Sequence, residues 1–388
     1  MKRLAIVSTH PIQYYAPVFQ LLAEKGTVQI KVFYTWGESS QKKHDPGFGK
    51  TIQWDIPLLD GYCYEFLKNT SKNPGSEYFN GIKNPEIIAH LEKFKPDIIL
   101  LFGWAYQSHL RVMRHFKNKV PIWFRGDSTL LNENMGLKGI FKSMFKKIIL
   151  KWVYKHTDKA FHVGKNNRSY FAAYGLKTNQ LIFAPHAVDN ERFSVNCARE
   201  AQQLRKQLTI PDDSTVILFA GKLENIKNPS LLIKAFKNLN PTANCHLIIT
   251  GNGKLEKTLK SEAQPEKKIH FIDFQNQSRM PVIYQACDLF CLPSKSESWG
   301  LAINEAMACG KAILVSDKVG AAIDLVIPNE NGLIFKAGNL SDLTDKLAAL
   351  ISNKTLLHDY GKRSKELIKD WNFVSIASVI EEQLINES

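Results

Sequence analysis

The sequence lacks the features that hold a small disulfide-rich or metal-stabilised protein together. Its 388 residues include only six cysteines, at positions 63, 197, 245, 287, 291 and 309, and none of them forms a Cys-x-x-Cys pair. This spacing argues against a disulfide framework and against a zinc site, so we interpret all six as reduced thiols of a cytoplasmic protein. No run of 18 apolar residues occurs, which argues against a membrane-spanning helix.

Three further signatures are missing. Met1-Lys2-Arg3 leads straight into a short apolar run, Leu4–Ser8, without the longer apolar region of a signal peptide. That run is not followed by Gly-x-Gly-x-x-Gly, which makes a nicotinamide-dependent oxidoreductase the least favoured class of enzyme. No Asp-x-Asp occurs anywhere in the chain. We therefore expect no metal ion at the site and no cofactor.

The chain is strongly basic, with 51 lysines and arginines, 37 acidic residues and a net charge of +14. An anionic partner is expected, and nucleotide phosphates, anionic lipid and nucleic acid all satisfy that requirement. Aromatic residues do not follow the pattern that stacking on nucleic acid requires, so we expect no nucleic-acid partner. The length and a hydrophobic fraction of 44% fit two domains of ordinary size.

Short apolar runs alternate with amphipathic segments along the whole chain. The predicted strands of the first half are Leu4–Ser8, Val28–Tyr34, Asp97–Phe102, Ile122–Phe124, Lys159–Val163 and Gln180–Phe183. Those of the second half are Val216–Ala220, His246–Thr250, Ile269–Asp273, Leu289–Leu292 and Ala312–Ser316. Helical patterns, such as Ile12–Lys25 and Gln107–Phe116, separate several of them. This alternation predicts two doubly wound α/β domains with parallel sheets, whose ligands lie at the carboxyl ends of the strands.

The most informative stretch runs from Phe290 to Val319. A buried strand is followed by the polar turn that contains Glu297, and the helical pattern that begins near Gly300 contains Glu305. The two carboxylates would be on the order of 10 Å apart, too far to share a proton and suited to holding two parts of one elongated ligand. The amides between them lie at a helix N-terminus, where an anionic group is favoured.

Glu297-x7-Glu305, inside ESWGLAINEAMACGKAILVS, resembles the E-x7-E signature of the retaining glycosyltransferases of family 4, which have the GT-B fold. The resemblance implies that Glu297 contacts the hydroxyls of the donor sugar and that Glu305 holds the ribose hydroxyls. The donor would be a nucleotide-diphosphate sugar. The backbone at the start of the helix would hold its diphosphate, through Ser298, Trp299, Gly300 and Leu301.

Two other segments extend the resemblance. Gly221-Lys222-Leu223-Glu224-Asn225-Ile226-Lys227-Asn228 is similar to the family's G-R-L-x-x-x-K-N, with Lys222 where arginine is usual. In the family these two cations clamp the diphosphate, and lysine keeps the charge while losing the bidentate geometry. Gly251 begins a G-x-G turn like the family's. By analogy, the loop that begins at Asp273 borders the nucleotide base.

The first half matches the family more thinly. The glycine-rich loop that often follows the first strand is replaced here by a segment in which His10, Tyr14 and Tyr15 could face an acceptor, while Tyr14 or Tyr15 could equally belong to the core. Arg125 stands where many members carry a histidine, so we transfer no histidine role and regard Asp127 as a candidate base or as a helix cap. His186 departs from the family's P-N-G-V-D segment and is placed on the acceptor side.

Residues 137–155, LKGIFKSMFKKIILKWVYK, combine regularly spaced lysines with bulky apolar residues. As a helix, this segment would have an apolar face beside a basic one. Such a helix either lies on an anionic membrane surface or packs its apolar face into its own domain. We expect a peripheral position at the inner face of the membrane.

These patterns predict three regions: an acceptor-binding domain at 1–195, a nucleotide-sugar-binding domain at 196–365, and a C-terminal helix at 366–388 that crosses back to the first domain. The predicted activity is retaining, metal-independent transfer of a sugar to a hydroxyl of a lipid-linked or cell-surface glycan, across a cleft between the domains. The alternatives are a GT-B sugar-nucleotide epimerase or hydrolase, and a non-catalytic basic protein that binds membrane or nucleic acid.

Overall fold

The chain folds into two α/β units. The structure, a computed structural model, describes residues 1–37, 43–45, 50–131 and 137–387. Unit 1 comprises Met1–Lys43, Ile56–His186 and Phe373–Ser388, and unit 2 comprises His44–Asp55 and Ala187–Asn372. The sequence predicted domain boundaries at 195/196 and 365/366, and the structure divides the chain after His186 and after Asn372.

Unit 1 is built on a parallel sheet of seven strands. In chain order, the strands are β1 (Lys2–Ser8), β2 (Val28–Tyr34), β5 (Tyr64–Phe66), β6 (Ile98–Phe102), β7 (Ile122–Arg125), β8 (Lys159–His162) and β9 (Leu181–Phe183). They lie in the order β5-β2-β1-β6-β7-β8-β9. A separate pair of short strands is formed by β3 (Lys43–Asp45) and β4 (Lys50–Ile52).

Helices cover the sheet of unit 1. They are α1 (Ala16–Glu24), α2 (Ile87–Phe94), α3 (Gln107–Phe116), α4 (Leu137–Tyr154), α5 (Lys165–Ala173) and, from the end of the chain, α15 (Phe373–Asn386). All five residues of β6 are buried, as expected of a central parallel strand covered on both faces. The helix α15 belongs to unit 1, where Glu381 accepts from Lys25 and Thr27.

Unit 2 contains a parallel sheet of six strands. They are β10 (Thr215–Ala220), β11 (Cys245–Thr250), β12 (Ile269–Ile272), β13 (Leu289–Leu292), β14 (Ala312–Ser316) and β15 (Gly332–Phe335), in the order β12-β11-β10-β13-β14-β15. Its helices are α6 (Asn190–Ser194), α7 (Ala198–Gln207), α8 (Pro229–Lys237), α9 (Glu256–Ala263), α10 (Met280–Gln285), α11 (Leu301–Ala308), α12 (Ala322–Leu325), α13 (Leu340–Ile351) and α14 (Lys354–Leu367). The prediction of two doubly wound parallel sheets is confirmed.

The first helix is shorter than the sequence predicted. It begins at Ala16 rather than at Ile12, and the amides of Tyr15 and Ala16 both donate to the carbonyl of Ile12. Pro17 lies in the first turn of α1, a position that proline favours because its missing N–H has no intrahelical partner there. The residues before Ala16 therefore form a turn at the carboxyl end of β1.

Candidate functional site

In the sheet of unit 2, the strand order reverses its direction between the neighbouring strands β10 and β13. Ligands of doubly wound sheets bind at the carboxyl ends of the strands next to such a reversal. Here the loops after these two strands interlock, because the amide of Lys295 donates to the carbonyl of Ile226 at 2.8 Å and its Nζ donates to Asn225 Oδ1 at 2.6 Å. The sequence-predicted lysines and the first glutamate therefore lie on adjacent loops.

Lys227 and Glu297 form an ion pair across these loops, with Nζ of the lysine on Oε2 of the glutamate. The structure thus brings together two residues that are 70 positions apart in the sequence. Both side chains are partly exposed, 23% for the lysine and 15% for the glutamate. Each is accessible to a ligand while the pair holds both in place. Lys222 lies earlier in the same loop and is also partly exposed.

The backbone fixes Glu297. Its amide donates to the carbonyl of Lys318, and its carbonyl accepts from the amide of Gly320 at 3.1 Å. A Cβ added at Gly320 would lie 1.8 Å from the carbonyl oxygen of Ser298. Only glycine allows this close approach, so the loop after β14 clamps the turn that presents the glutamate.

The turn ends at Gly300, whose φ of +100° is in the left-handed region, and α11 begins at Leu301. The first N–H groups of a helix have no intrahelical partner, and the helix dipole favours an anion there. Trp299 anchors this end: its indole is 2% exposed, donates to Asn304 Oδ1 and stacks on Trp371 at 5.3 Å. Any ligand contact predicted for Trp299 must therefore come from its backbone.

Glu305 lies within α11 and is only 5% exposed. The hydroxyl of Tyr284, on α10, donates to its Oε2 at 2.7 Å. This bond orients the buried carboxylate within α11. Sequence reasoning missed Tyr284, because nothing in the sequence indicates that α10 packs on α11 at this point.

A second part of the carboxyl edge is formed by the loops after β10, β11 and β12. A Cβ at Gly251 would lie 2.0 Å from the carbonyl oxygen of Gly221, so both predicted glycines serve close backbone packing. Asn252 is buried and donates to Glu256 and Asp273, while its Oδ1 accepts from the amide of Phe274. The predicted Asp273 is thus held in place by Asn252, which sequence reasoning also missed although it lies inside the Gly-x-Gly turn.

In unit 1 the predicted acceptor-side residues lie near the carboxyl edge. His10 Nδ1 is 2.9 Å from Thr9 Oγ1, and its ring contacts Trp36. Tyr14 is partly exposed. The ring of the next residue, Tyr15, stacks on that of His186. Burial, followed by the charge of Asp127, raises the pKa of Tyr15 to about 12 despite the opposing effect of Arg125.

Arg125 has a buried, structural position in place of the acceptor-facing one that we predicted. Its side chain is 1% exposed, and its terminal nitrogens donate to the carbonyls of Ala184 and Pro185 at 3.0 and 2.8 Å. Burial lowers the pKa of Arg125. Burial and the nearby Arg125 lower the pKa of His186 to about 3, so this imidazole is neutral at pH 7. Asp127 stays a candidate base.

Among the described residues, no group of three His, Cys, Asp or Glu side chains is placed to hold a metal ion. All six cysteines are free thiols. Within the described part of the chain, no helix combines the length and apolar character needed to cross a bilayer.

The fold indicates the structural class of the protein. The chain resembles solved GT-B glycosyltransferases along its whole length. Sucrose-phosphate synthase from Thermosynechococcus elongatus gives a TM-score of 0.76 at 18% identity, with 100% of both chains covered. Anabaena HepE in complex with UDP-glucose gives 0.71 at 16% identity, covering 99% of this chain and 100% of the other. These likenesses establish the GT-B fold of the present chain.

The family follows from the sequence of unit 2. Residues 200–367 match the family model described as "Glycosyl transferases group 1", and this confirms the resemblance first seen at Glu297 and Glu305, which lie in the matched region. A D-inositol 3-phosphate glycosyltransferase of Corynebacterium glutamicum is 27% identical over 215 residues, 53% of this chain and 51% of that protein. The present chain spans about half the length of this relative.

A second relative has a longer match. The N-acetylgalactosamine-N,N'-diacetylbacillosaminyl-diphospho-undecaprenol 4-alpha-N-acetylgalactosaminyltransferase of Campylobacter jejuni is 25% identical over 248 residues, which is 63% of this chain and 64% of that protein.

Proposed function

We propose that this protein is a retaining glycosyltransferase that uses a nucleotide-diphosphate sugar and a hydroxyl acceptor. The observation that carries the proposal is the meeting of Lys227 and Glu297 beside the N-terminus of α11, at the carboxyl edge of the unit 2 sheet. A cation, a carboxylate and helix amides are the groups that an activated sugar requires: positive charge for its phosphates and an acceptor for its hydroxyls. The match of residues 200–367 to a glycosyltransferase family supports the same conclusion.

The main catalytic demand is stabilisation of the departing diphosphate. Lys227, Lys222 and the first amides of α11 would supply positive potential where negative charge develops as the bond from the sugar to the phosphate breaks. Lys227 would share its ammonium between Glu297 and the phosphate. Lysine at 222 acts as a point charge, without the two parallel hydrogen bonds of arginine.

Glu305 is proposed to hold the ribose. The Tyr284 hydroxyl donates to its Oε2 and orients the carboxylate, which would accept hydrogen bonds from the two ribose hydroxyls. Glu297 would accept hydrogen bonds from the sugar hydroxyls. The sugar of the donor would therefore bind the partly exposed carboxylate of Glu297, and its ribose would bind the buried carboxylate of Glu305.

Retention is proposed from the family resemblance. The acceptor oxygen would form its bond to the anomeric carbon on the face that the diphosphate leaves, and its proton would move to an oxygen of the leaving phosphate. This route needs no strong protein base. It leaves Asp127, partly exposed near Tyr15 and Arg125, as the candidate for assisting the proton transfer.

The test is a donor screen with the purified chain. Thermal shifts against nucleoside diphosphates and their sugars should identify a ligand, and incubation with that donor should give transfer only when an acceptor is added. Turnover of the donor alone would instead establish a hydrolase or an epimerase. Salt-sensitive DNA binding without nucleotide-sugar binding would contradict the proposal and favour the non-catalytic class.

A second part of the proposal concerns α4 and an anionic membrane surface. Met144, Phe145, Ile148 and Trp152 lie within about 100° on one side of this helix, and Phe145 and Ile148 are 67% and 66% exposed. Lys147 and Lys151 flank this apolar stripe and Lys155 follows the end of the helix, while Leu150 and Val153 on the other side are buried. Such a face suits partial insertion between anionic head groups, as a lipid-linked acceptor would require.

Vesicle sedimentation tests this contact. Phe145→Ser with Ile148→Ser should weaken binding to anionic vesicles by at least about tenfold, since each removes apolar area from the lipid. Lys234→Gln, on α8 of unit 2, is the control for net charge. Equal sedimentation of the serine variant and the unaltered chain would contradict membrane contact through α4.

A further inference from the structure

A cavity of about 340 Å³ lies in unit 1, at the end of the sheet opposite to the acceptor-side residues. It is bordered by the segments that precede β7 and β8 and by the turn that follows α5. Its lining includes Lys117, Lys155, Lys177, Thr157, Asp158 and Tyr154. This volume is within the range of small-molecule sites. None of these residues has a part in the proposed sugar transfer.

The lining is positively charged. The lining contains three lysines and one acidic residue, Asp158. The carboxylate of Asp158 already has a hydrogen-bond donor and an ion-pair partner. Its Oδ2 accepts from the amide of Ile122 at 2.8 Å, and its Oδ1 is 3.6 Å from Lys117 Nζ. The net charge of the lining therefore favours an anion with more than one negative charge.

Thr157 contributes a buried hydroxyl. The residue is 2% exposed, and its Oγ1 has no hydrogen-bond partner among the described residues. Its backbone is fully used, because the amide donates to Tyr154 and the carbonyl accepts from Gln180 Nε2. A buried hydroxyl without a partner is costly and calls for an explanation. Because Oγ1 is enclosed here, a ligand acceptor atom in the cavity could supply the missing partner only after the side chain rotates toward the cavity.

We propose that this cavity binds a phosphate group. A phosphate offers several acceptor oxygens and up to two negative charges, which match three ammonium groups and one hydroxyl donor. The phosphate has two possible sources, a soluble phosphate or a lipid head group. Lys155 lines this cavity, and its Nζ lies 5.9 Å from the centre of the Trp152 ring on the apolar stripe of α4, so the stripe and the cavity are adjacent.

Phosphorus NMR with inorganic phosphate tests the site directly. The full chain is used with Lys222→Ala and Lys227→Ala, so that the proposed donor site does not contribute. The titration should show saturable binding, and Thr157→Val should weaken it by at least about fivefold while leaving the thermal stability unchanged or higher. The valine keeps the shape of the side chain and removes only the hydroxyl.

A charge-matched pair of variants separates a site from general attraction. Lys117→Gln with Lys177→Gln removes two lysines of the cavity. Lys119→Gln with Lys147→Gln removes two lysines outside it and changes the net charge equally. The first pair should weaken phosphate binding by at least about tenfold and the second by less than about twofold. Equal weakening by both pairs would overturn the proposal.

Vesicles identify the source. Phosphatidylcholine vesicles that contain phosphatidate are compared with vesicles brought to the same surface charge with oleate. Stronger binding to phosphatidate, lost with Lys117→Gln and Lys177→Gln, assigns the cavity to a lipid head group. Saturable binding of inorganic phosphate without this preference assigns it to a soluble phosphate. Absence of both the phosphatidate preference and saturable phosphate binding overturns the proposal of a phosphate site. The sugar-transfer proposal is unaffected by this result, because its test is donor binding.

Discussion

The ion pair between Lys227 and Glu297 places opposite charges on the two loops that meet at the reversal of strand order. The pair orients both side chains before a donor binds, which lowers the reorganisation that the reaction requires. It also implies coupling: removing the lysine leaves the carboxylate of Glu297 without its counter-charge and adds negative potential where the diphosphate would bind. Substitution of Lys227 should thus lower sugar transfer more than substitution of an ordinary surface lysine does.

Lys227→Ala and Glu305→Ala are each expected to lower sugar transfer by at least about tenfold, which corresponds to about 1.4 kcal/mol in the barrier. The first would lose the proposed charge stabilisation of the leaving group, and the second would lose the proposed contact with the ribose. Steady-state transfer rates at varied donor concentration are the measurement. Lys234→Ala, an exposed lysine on α8, is the control. Activity near that of the unaltered chain in either variant would remove the assignment.

Tyr284→Phe is expected to act through Glu305. The hydroxyl of Tyr284 donates to a buried carboxylate oxygen, and hydrogen bonds to charged groups contribute about 1.5–3 kcal/mol. The variant should raise the KM for the donor by about tenfold and lower the urea midpoint. Tyr360→Phe, a buried tyrosine on α14, serves as the control. If KM stays constant while stability falls, Tyr284 has only a structural role.

At the level of elements, the sequence predicted the central strands well and the connections poorly. The strand Val28–Tyr34 and the helix Gln107–Phe116 were predicted with the observed bounds, since a regular spacing of apolar residues and clear breakers define such segments. The start of α1 and the grouping of His44–Asp55 with unit 2 were not predicted. Both depend on which distant segments pack together, and local pattern contains no information on that.

The same limit applied to the candidate site. Glu297, Glu305 and Lys227 could be found because they belong to motifs with fixed spacing. Tyr284 and Asn252 could not be assigned their parts, because each contacts its carboxylate partner through tertiary packing. Arg125 shows the opposite error: its position after a strand indicated an acceptor residue, whereas its donors are directed to carbonyls within unit 1.

Gly320→Ala should disturb the element that presents Glu297. The added Cβ would lie 1.8 Å from the carbonyl oxygen of Ser298, a backbone atom that cannot move without displacing the turn. We expect a destabilisation of at least about 2 kcal/mol and a marked loss of transfer. Gly75→Ala is the matched control: like Gly320 it has no left-handed φ, and an added Cβ would meet only the Tyr78 ring at 3.7 Å, an ordinary van der Waals contact. Equal losses of stability would contradict the clamp.

Across the whole molecule, buried histidines connect stability to pH. Burial lowers the pKa of His109 and of His162 to about 4, and that of His186 to about 3. His109 is fully enclosed, with its two ring nitrogens 2.9 Å from Thr35 Oγ1 and 2.8 Å from the carbonyl oxygen of Gly103. The carbonyl can only accept, so Nδ1 of His109 carries the proton and Nε2 accepts from the threonine. The folded chain holds these imidazoles neutral.

The folded state is therefore expected to lose stability as the pH falls. Below about 6.5 the unfolded chain takes up a proton at each of these histidines, whereas the folded chain does so only near pH 4 or below, so the unfolded state binds more protons in that window. At pH 5 the loss is roughly 2 kcal/mol for each histidine, a large part of the stability of a typical domain. Urea unfolding at pH 7 and at pH 5 measures it. His109→Gln should reduce the dependence on pH, and His358→Gln, at an exposed position, should not. Equal midpoints at the two pH values would show that these imidazoles take up protons in the folded chain as readily as in the unfolded one.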